Sequence, residues 1–145
     1  VIKIKNLPSD ILKRLPHTYK RLRECEYVVA LYIFGSLKEK QLKPLSDLDF
    51  AVLLSDKVKD VFDIQLELIG ILIDTLHTEE FDLIILNTAP VRFSFNIVKD
   101  GKLIFCKDKK QFINFRERII KEFVDFKYYL NEFNQVFLEG TGYHG

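Results

Sequence analysis

The stretch from Tyr32 to Ser55, YIFGSLKEKQLKPLSDLDFAVLLS, sets the strongest limits on how this chain can fold. An apolar run, Val28 to Phe34, stops at Gly35-Ser36. A polar loop with Lys38, Glu39, Lys40, Lys43 and Pro44 follows, and Ser46-Asp47-Leu48-Asp49 opens a second apolar run, Phe50 to Leu54. This alternation reads as strand, tight turn, loop, strand. Along a strand, side chains at i and i+2 share a face, about 6–7 Å apart. Asp47 and Asp49 therefore project together, while Leu48 and Phe50 face the other way. Two carboxylates at the mouth of an apolar strand repel each other and lose hydration unless a cation sits between them. Solvated turn aspartates are the ordinary reading of a lone Asp-x-Asp, but three further residues argue for more. Gly35 lacks a Cβ, so its backbone can approach a phosphate closely. Ser36 adds a hydroxyl where free backbone N–H groups would meet an anion. Asp82 is a third acid, and it too opens an apolar run, Leu83 to Leu86.

Taken together, these residues resemble the signature of the polymerase β-type nucleotidyltransferase superfamily: Gly-Ser, a short loop, Asp-x-Asp, then a lone Asp on a later strand. The nine residues Leu37 to Leu45 between Ser36 and Ser46 match the loop length of its small bacterial members. The resemblance implies an α/β (α+β) nucleotidyltransferase fold, a small mixed sheet flanked by helices with a long C-terminal helix. It implies Asp47, Asp49 and Asp82 as catalytic residues and ligands of two Mg²⁺ ions, which such sites hold about 3.5–4 Å apart. Gly35, Ser36 and Ser46 would bind ATP through its phosphates, and Asp82 would help deprotonate the acceptor hydroxyl. Small members often carry Arg-Gly in the loop, whereas this chain has Glu39 and Lys40. Lys38, Lys40 and Lys43 are thus candidates for the triphosphate's cationic partner and equally for a solvated loop face.

Further along, Phe81-Asp82-Leu83, Asn87-Thr88-Ala89-Pro90, Asp100-Gly101-Lys102-Leu103-Ile104-Phe105 and the region around Tyr128 are similar to the MntA subgroup of minimal nucleotidyltransferases. That resemblance implies an antitoxin that transfers AMP from ATP to a tyrosine of a helical HEPN-domain ribonuclease toxin. Two other functions compete with it. One is a non-catalytic antitoxin that works by contact; the other is a nucleotidyltransferase for a small hydroxylated molecule. Three clustered acids favour catalysis over contact alone, and only one long helix remains after the core to form a small-molecule acceptor pocket.

The totals agree with a packed globule. A length of 145 residues suits a single domain spanning 1–145, and nearly half the residues are apolar, with thirteen Phe and neither Trp nor Met. No apolar stretch approaches the ~20 residues of a membrane span. A net charge of +1 argues against a broad nucleic-acid surface. Lys3 and Lys5 are not followed by a signal-like apolar segment. Cys25 and Cys106 are too few for a disulfide framework or a zinc site, so both are expected to be reduced. A cytoplasmic location is the expectation, with homo-oligomer formation left open.

The chain in order predicts a helix from Ser9-Asp10 with Ile11, Leu12, Leu15, Tyr19 and Leu22 inward and a break or kink at Pro16. Strands are expected over Glu26 to Phe34, Phe50 to Leu54, Phe81 to Leu86 and Lys102 to Cys106. Part of Lys38 to Lys43 is expected to coil into a helical turn. Asp56 is expected to cap a helix that packs Phe62, Leu66, Ile69, Ile73 and Leu76 on the sheet. A short helix follows Pro90, with Val91, Phe95 and Val98 apolar. A final helix begins at Asp108 with Gln111 as a capping-box pair. Its stripe runs through Phe112, Phe115, Ile119, Phe123, Phe126, Leu130, Phe133 and Phe137, most of it expected in the core. The distal residues outnumber what one core can cover, so part of Phe126, Tyr129, Leu130, Phe133 and Phe137 is expected to stay exposed as an interface. Gly140 to Gly145 reads as a frayed tail.

Overall fold

Strand β1 (Val28–Phe34) is apolar at every position and buried at all but its last residue. Strand β2 (Leu48–Leu54) is buried everywhere except Asp49. Strands that read as unbroken apolar runs are covered on both faces, and these two form the middle of a sheet. The structure, a computed structural model, describes residues 8–35 and 48–140, with side chains as far as residue 136. Among them the sheet has four strands in the order β3-β2-β1-β4, with β3 at Phe81–Ile85 and β4 at Lys102–Cys106. β1 pairs antiparallel with both β2 and β4, whereas β2 pairs parallel with β3. The sheet is mixed and flanked by helices, the α+β architecture expected from the signature.

Alternation along β2 divides the core in two. Leu48, Phe50, Val52 and Leu54 join Leu31 and Ile33 under helices α1 (Ile11–Glu24) and α2 (Val61–Leu76). Ala51 and Leu53 join Val29, Ala30 and Tyr32 under α3 (Val91–Asp100) and α4 (Lys109–Gly140). An irregularity in the β1–β2 register between Val28 and Ala30 accounts for two consecutive residues, Val29 and Ala30, serving the same core.

Several expectations about the helices need correction. Helix α1 runs as a single helix through Pro16 and is not split in two. The hydrogen bond that Pro16 cannot donate would go to the Leu12 carbonyl, and both residues are exposed, so water can satisfy that oxygen. Inside, Ile11, Leu15, Thr18 and Leu22 are buried, while Leu12 faces solvent. Helix α2 starts at Val61, capped by Asp60, whose carboxylate accepts from the Asp63 N–H at 3.1 Å. Asp56 caps nothing there; its own N–H donates to Gln111 Oε1 at 3.1 Å. The buried face of α2 is Leu68, Leu72, Thr75 and Leu76. Phe62, Leu66 and Ile73 are exposed, so the expected stripe lies mostly outside the core. Thr18 Oγ1 donates to Thr75 Oγ1 at 2.9 Å, joining α1 to α2 through a fully buried bond. His77 ends α2 at φ 56°, its N–H returned to the Ile73 carbonyl at 3.0 Å.

Helix α4 opens as predicted. The Gln111 N–H donates to Asp108 Oδ1 at 3.1 Å, and Gln111 Nε2 donates to Asp108 Oδ2 at 2.8 Å. These bonds hold the Asp108 carboxyl below its ordinary range. Phe112, Phe115 and Ile119 are buried, and Phe123 stacks on Phe95 with ring centroids 3.9 Å apart. Beyond that point the stripe leaves the body. Phe126, Tyr129, Leu130 and Phe133 are all exposed, so the first half of the helix is core and the second is not. Phe137 and residues 141–145 fall outside what is described at side-chain level. Cys25 and Cys106 are free.

Candidate active site

Three strand ends build the site. Parallel pairing sets Leu48 beside Phe81 and Asp49 beside Asp82, on strands about 4.8 Å apart. Leu48 and Phe50 lie in the core under α1 and α2, and Phe81 and Leu83 pack against the same core. Alternation therefore turns Asp49 and Asp82 together to the opposite face, the α3/α4 side. Asp49 is half-buried and Asp82 exposed. Two acids from different strands, 33 residues apart in sequence, thus become register partners at the sheet's end.

Gly35 completes this corner. Antiparallel pairing places Phe34 opposite Asp49, and the next residue turns the chain at φ 64°. A Cβ built on Gly35 would lie 2.6 Å from Asp49 Oδ2. The backbone at Gly35 thus lies directly against the carboxylate, in a conformation that a side chain would strain. Ser36, Ser46 and Asp47, and with them Lys38, Lys40 and Lys43, lie outside the described residues. Among the described residues no group of three or more His, Cys, Asp or Glu side chains gathers to hold an ion. The donor chemistry present, two carboxylates in register on adjacent strands, suits Mg²⁺, which takes one or two carboxylates plus substrate phosphates.

A feature that strand reasoning did not reach is a cavity of about 330 Å³ beside this corner, lined by Phe34, Gly35, Phe93, Asn96, Ile97, Asp100 and Gly101. Its helical wall is one face of α3, with residues at i, i+3, i+4 and i+7 from Phe93. That spacing is present in the sequence, but the face of Val91, Phe95 and Val98 is the more apolar of the two. At the far end of β2, Asn87 has a structural part. Its Oδ1 accepts from the Leu54 N–H and its Nδ2 donates to the Leu54 carbonyl, both at 2.8 Å.

Paired acids at the end of a mixed sheet, against a backbone turned at a positive-φ glycine, are what a metal-assisted nucleotidyl-transfer site presents. A family model, "Polymerase beta, Nucleotidyltransferase", matches residues 18–110, well over half of the chain, and the chain belongs to that family of nucleotidyltransferases. No curated protein sequence matches it. Among solved structures it is similar to a chain of a toxin–antitoxin complex crystallised with AMP-PNP. That match has 20% identity and a TM-score of 0.60, covering 89% of this chain and 96% of the other. A chain of the MntA–HepT toxin–antitoxin complex matches with 21% identity and a TM-score of 0.58, covering 90% and 97%. A third comes from the complex of a tri-AMPylated Shewanella oneidensis HEPN toxin with its MNT antitoxin, at 20% identity and a TM-score of 0.56, covering 88% and 98%. The fold is therefore that of the MntA-type minimal nucleotidyltransferases. No helix among the described residues is long and apolar enough to cross a membrane.

Proposed function

We propose that this chain transfers the AMP of ATP, with Mg²⁺, to a tyrosine hydroxyl of a HEPN-domain toxin and so acts as its antitoxin. The observation that carries the reading is the in-register pair Asp49 and Asp82 with Gly35 against Asp49. Mg²⁺, when bound, would neutralise charge on the triphosphate and lower the pKa of the acceptor hydroxyl. Asp49 and Asp82, together with Asp47, are the residues that would hold it. Gly35 and Ser36, with Ser46, would position the β- and γ-phosphates. The acceptor oxygen attacks the α-phosphorus, the bond from that phosphorus to the oxygen bridging the β-phosphate breaks, and pyrophosphate leaves. Asp82, the exposed member of the pair, would take the acceptor's proton.

The likeness to chains from toxin–antitoxin complexes supports the partner, and so does α4. From Ile119 through Phe123, Phe126, Leu130 and Phe133 the apolar residues recur by fours and threes, continuing the line that packs on the sheet. A seam of period 3.5 is completed by another helix, which is what a helical toxin offers.

The test is transfer itself. Purified chain, ATP, Mg²⁺ and the HEPN protein should yield toxin heavier by AMP, with the label on tyrosine. Asp49→Asn and Asp82→Asn should each abolish transfer while leaving the fold intact, as a thermal melt would show. Transfer surviving in either variant would sink the mechanism. Variants that transfer nothing yet still silence the toxin would make contact through α4 the operative function.

A further inference from the structure

We infer that the cavity between the end of β1 and helix α3 is the seat of the nucleotide's base, with Phe93 as its stacking surface and Asn96 as the group that reads the base edge. The inference rests on the nucleotidyl-transfer reading and extends it to a part of the substrate that the acids do not touch. Gly35 belongs to both places: it lies against the Asp49 carboxylate and it lines the cavity. An α-phosphate drawn to a metal held by Asp49 would sit beside Gly35, and the ribose and base that it carries would have this cavity as their neighbour. At about 330 Å³ the space is ample for a purine with part of its ribose.

The lining selects among the possible occupants. Phe34 and Phe93 meet edge to face, with centroids 6.1 Å apart and planes at 83°. Phe93 is 43% exposed, so its ring is open to a planar ligand. A phosphate would find two phenyl rings and Ile97, apolar surroundings that favour a neutral ring over an anion. A flat, neutral heterocycle finds an aromatic surface and polar groups at the rim. The Asn96 carboxamide offers one donor and one acceptor side by side, the pattern that pairs with the N6/N7 edge of adenine. The acceptor has a different approach. Asp82, the proposed proton acceptor, lies on β3, across Asp49 from β1 and Gly35 in the strand order. The end of the sheet is thus divided, with the acceptor on the β3 side, the metal and α-phosphate at Asp49 on β2, and the base on the β1 side against α3.

Calorimetric titration of the whole chain with Mg-ATP and, separately, with Mg-tripolyphosphate tests this. Phe93→Ala should weaken Mg-ATP binding about tenfold or more and leave Mg-tripolyphosphate binding at the wild-type value. Phe93→Trp should restore it, which separates stacking from any effect on folding. Asn96→Ala should erase a preference for ATP over GTP. An unchanged ATP affinity in Phe93→Ala overturns the base site, as does equal weakening of both ligands. So does a variant that binds ATP normally but loses affinity for the acceptor protein, since the cavity would then be the acceptor's. Wild-type chain that binds neither ligand overturns the transferase reading itself, a result distinct from all the others.

Discussion

Replacing Gly35 with alanine separates two costs that the structure places on one residue. The first is conformational. At φ 64° an L-residue costs about 1–2 kcal/mol, and the reduced freedom of the unfolded chain returns about 0.4–1 kcal/mol of that. A net loss of about 1 kcal/mol lowers the melting temperature of a chain this size by roughly 2–4 °C. The second cost falls on the chemistry. The new methyl group would lie 2.6 Å from Asp49 Oδ2, closer than any real Cβ contact, so the carboxylate must rotate or the turn must open. Misplacing a metal-holding group by about 1 Å costs around 100-fold in rate. The expected phenotype is lopsided, a small stability loss beside a severe loss of AMP transfer. Thermal melts followed by circular dichroism, with transfer rates measured well below the transition, read both quantities on one sample. A Gly35→Ala protein that transfers AMP near the wild-type rate would refute the idea that the bare backbone keeps Asp49 in position. A protein that loses activity only in proportion to its unfolded fraction would refute it as well.

Two other expectations follow from the packing. Leu72→Ala on α2 removes a fully buried side chain and should cost about 2–5 kcal/mol by chemical denaturation, whereas Leu66→Ala, half exposed, should stay within about 0.5 kcal/mol. The opposite ranking would mean that α2 presents the other face to the sheet. Phe126→Ser together with Phe133→Ser should leave the melt unchanged and weaken toxin binding, with about 1 kcal/mol or more expected from each side chain if it is a true anchor. Loss of the fold in that double variant would return the distal helix to the core and remove it as an interface.

The two central strands and the turn between core and site could be read in the sequence because their residues are apolar without interruption and then abruptly polar. Double-sided burial writes such runs, and little else does. The fold class followed from the signature residues. Helix α2 misled for a physical reason. It carries two apolar arcs, Phe62-Leu66-Ile69-Ile73 and Val61-Ile64-Leu68-Leu72, each with helical spacing, and only the position of the sheet decides between them. Pro16 misled because the rule about proline assumes a carbonyl left without a partner, and here that carbonyl lies on the wet side. Alternation put Asp49 on a definite face, yet its register against Asp82 could not be read. Parallel pairing across a helix fixes that register, and no local pattern encodes it. The α3 cavity escaped because its residues are of mixed polarity, which is how a binding wall reads and how an ordinary helix surface reads too.

Strand β3 lies at one margin of the sheet, with β2 on its inner side and no described strand on its outer side. Asp82 is exposed in this strand, at the edge of the described sheet. On the proposed reading, a tyrosine on the surface of a folded partner would reach Asp82 from that side. Selectivity in such an arrangement has to come from wherever the partner is gripped, and the bare distal length of α4 is a handle of the right kind. On the proposed reading, the choice of acceptor would then be made at a distance from the acids that act on it.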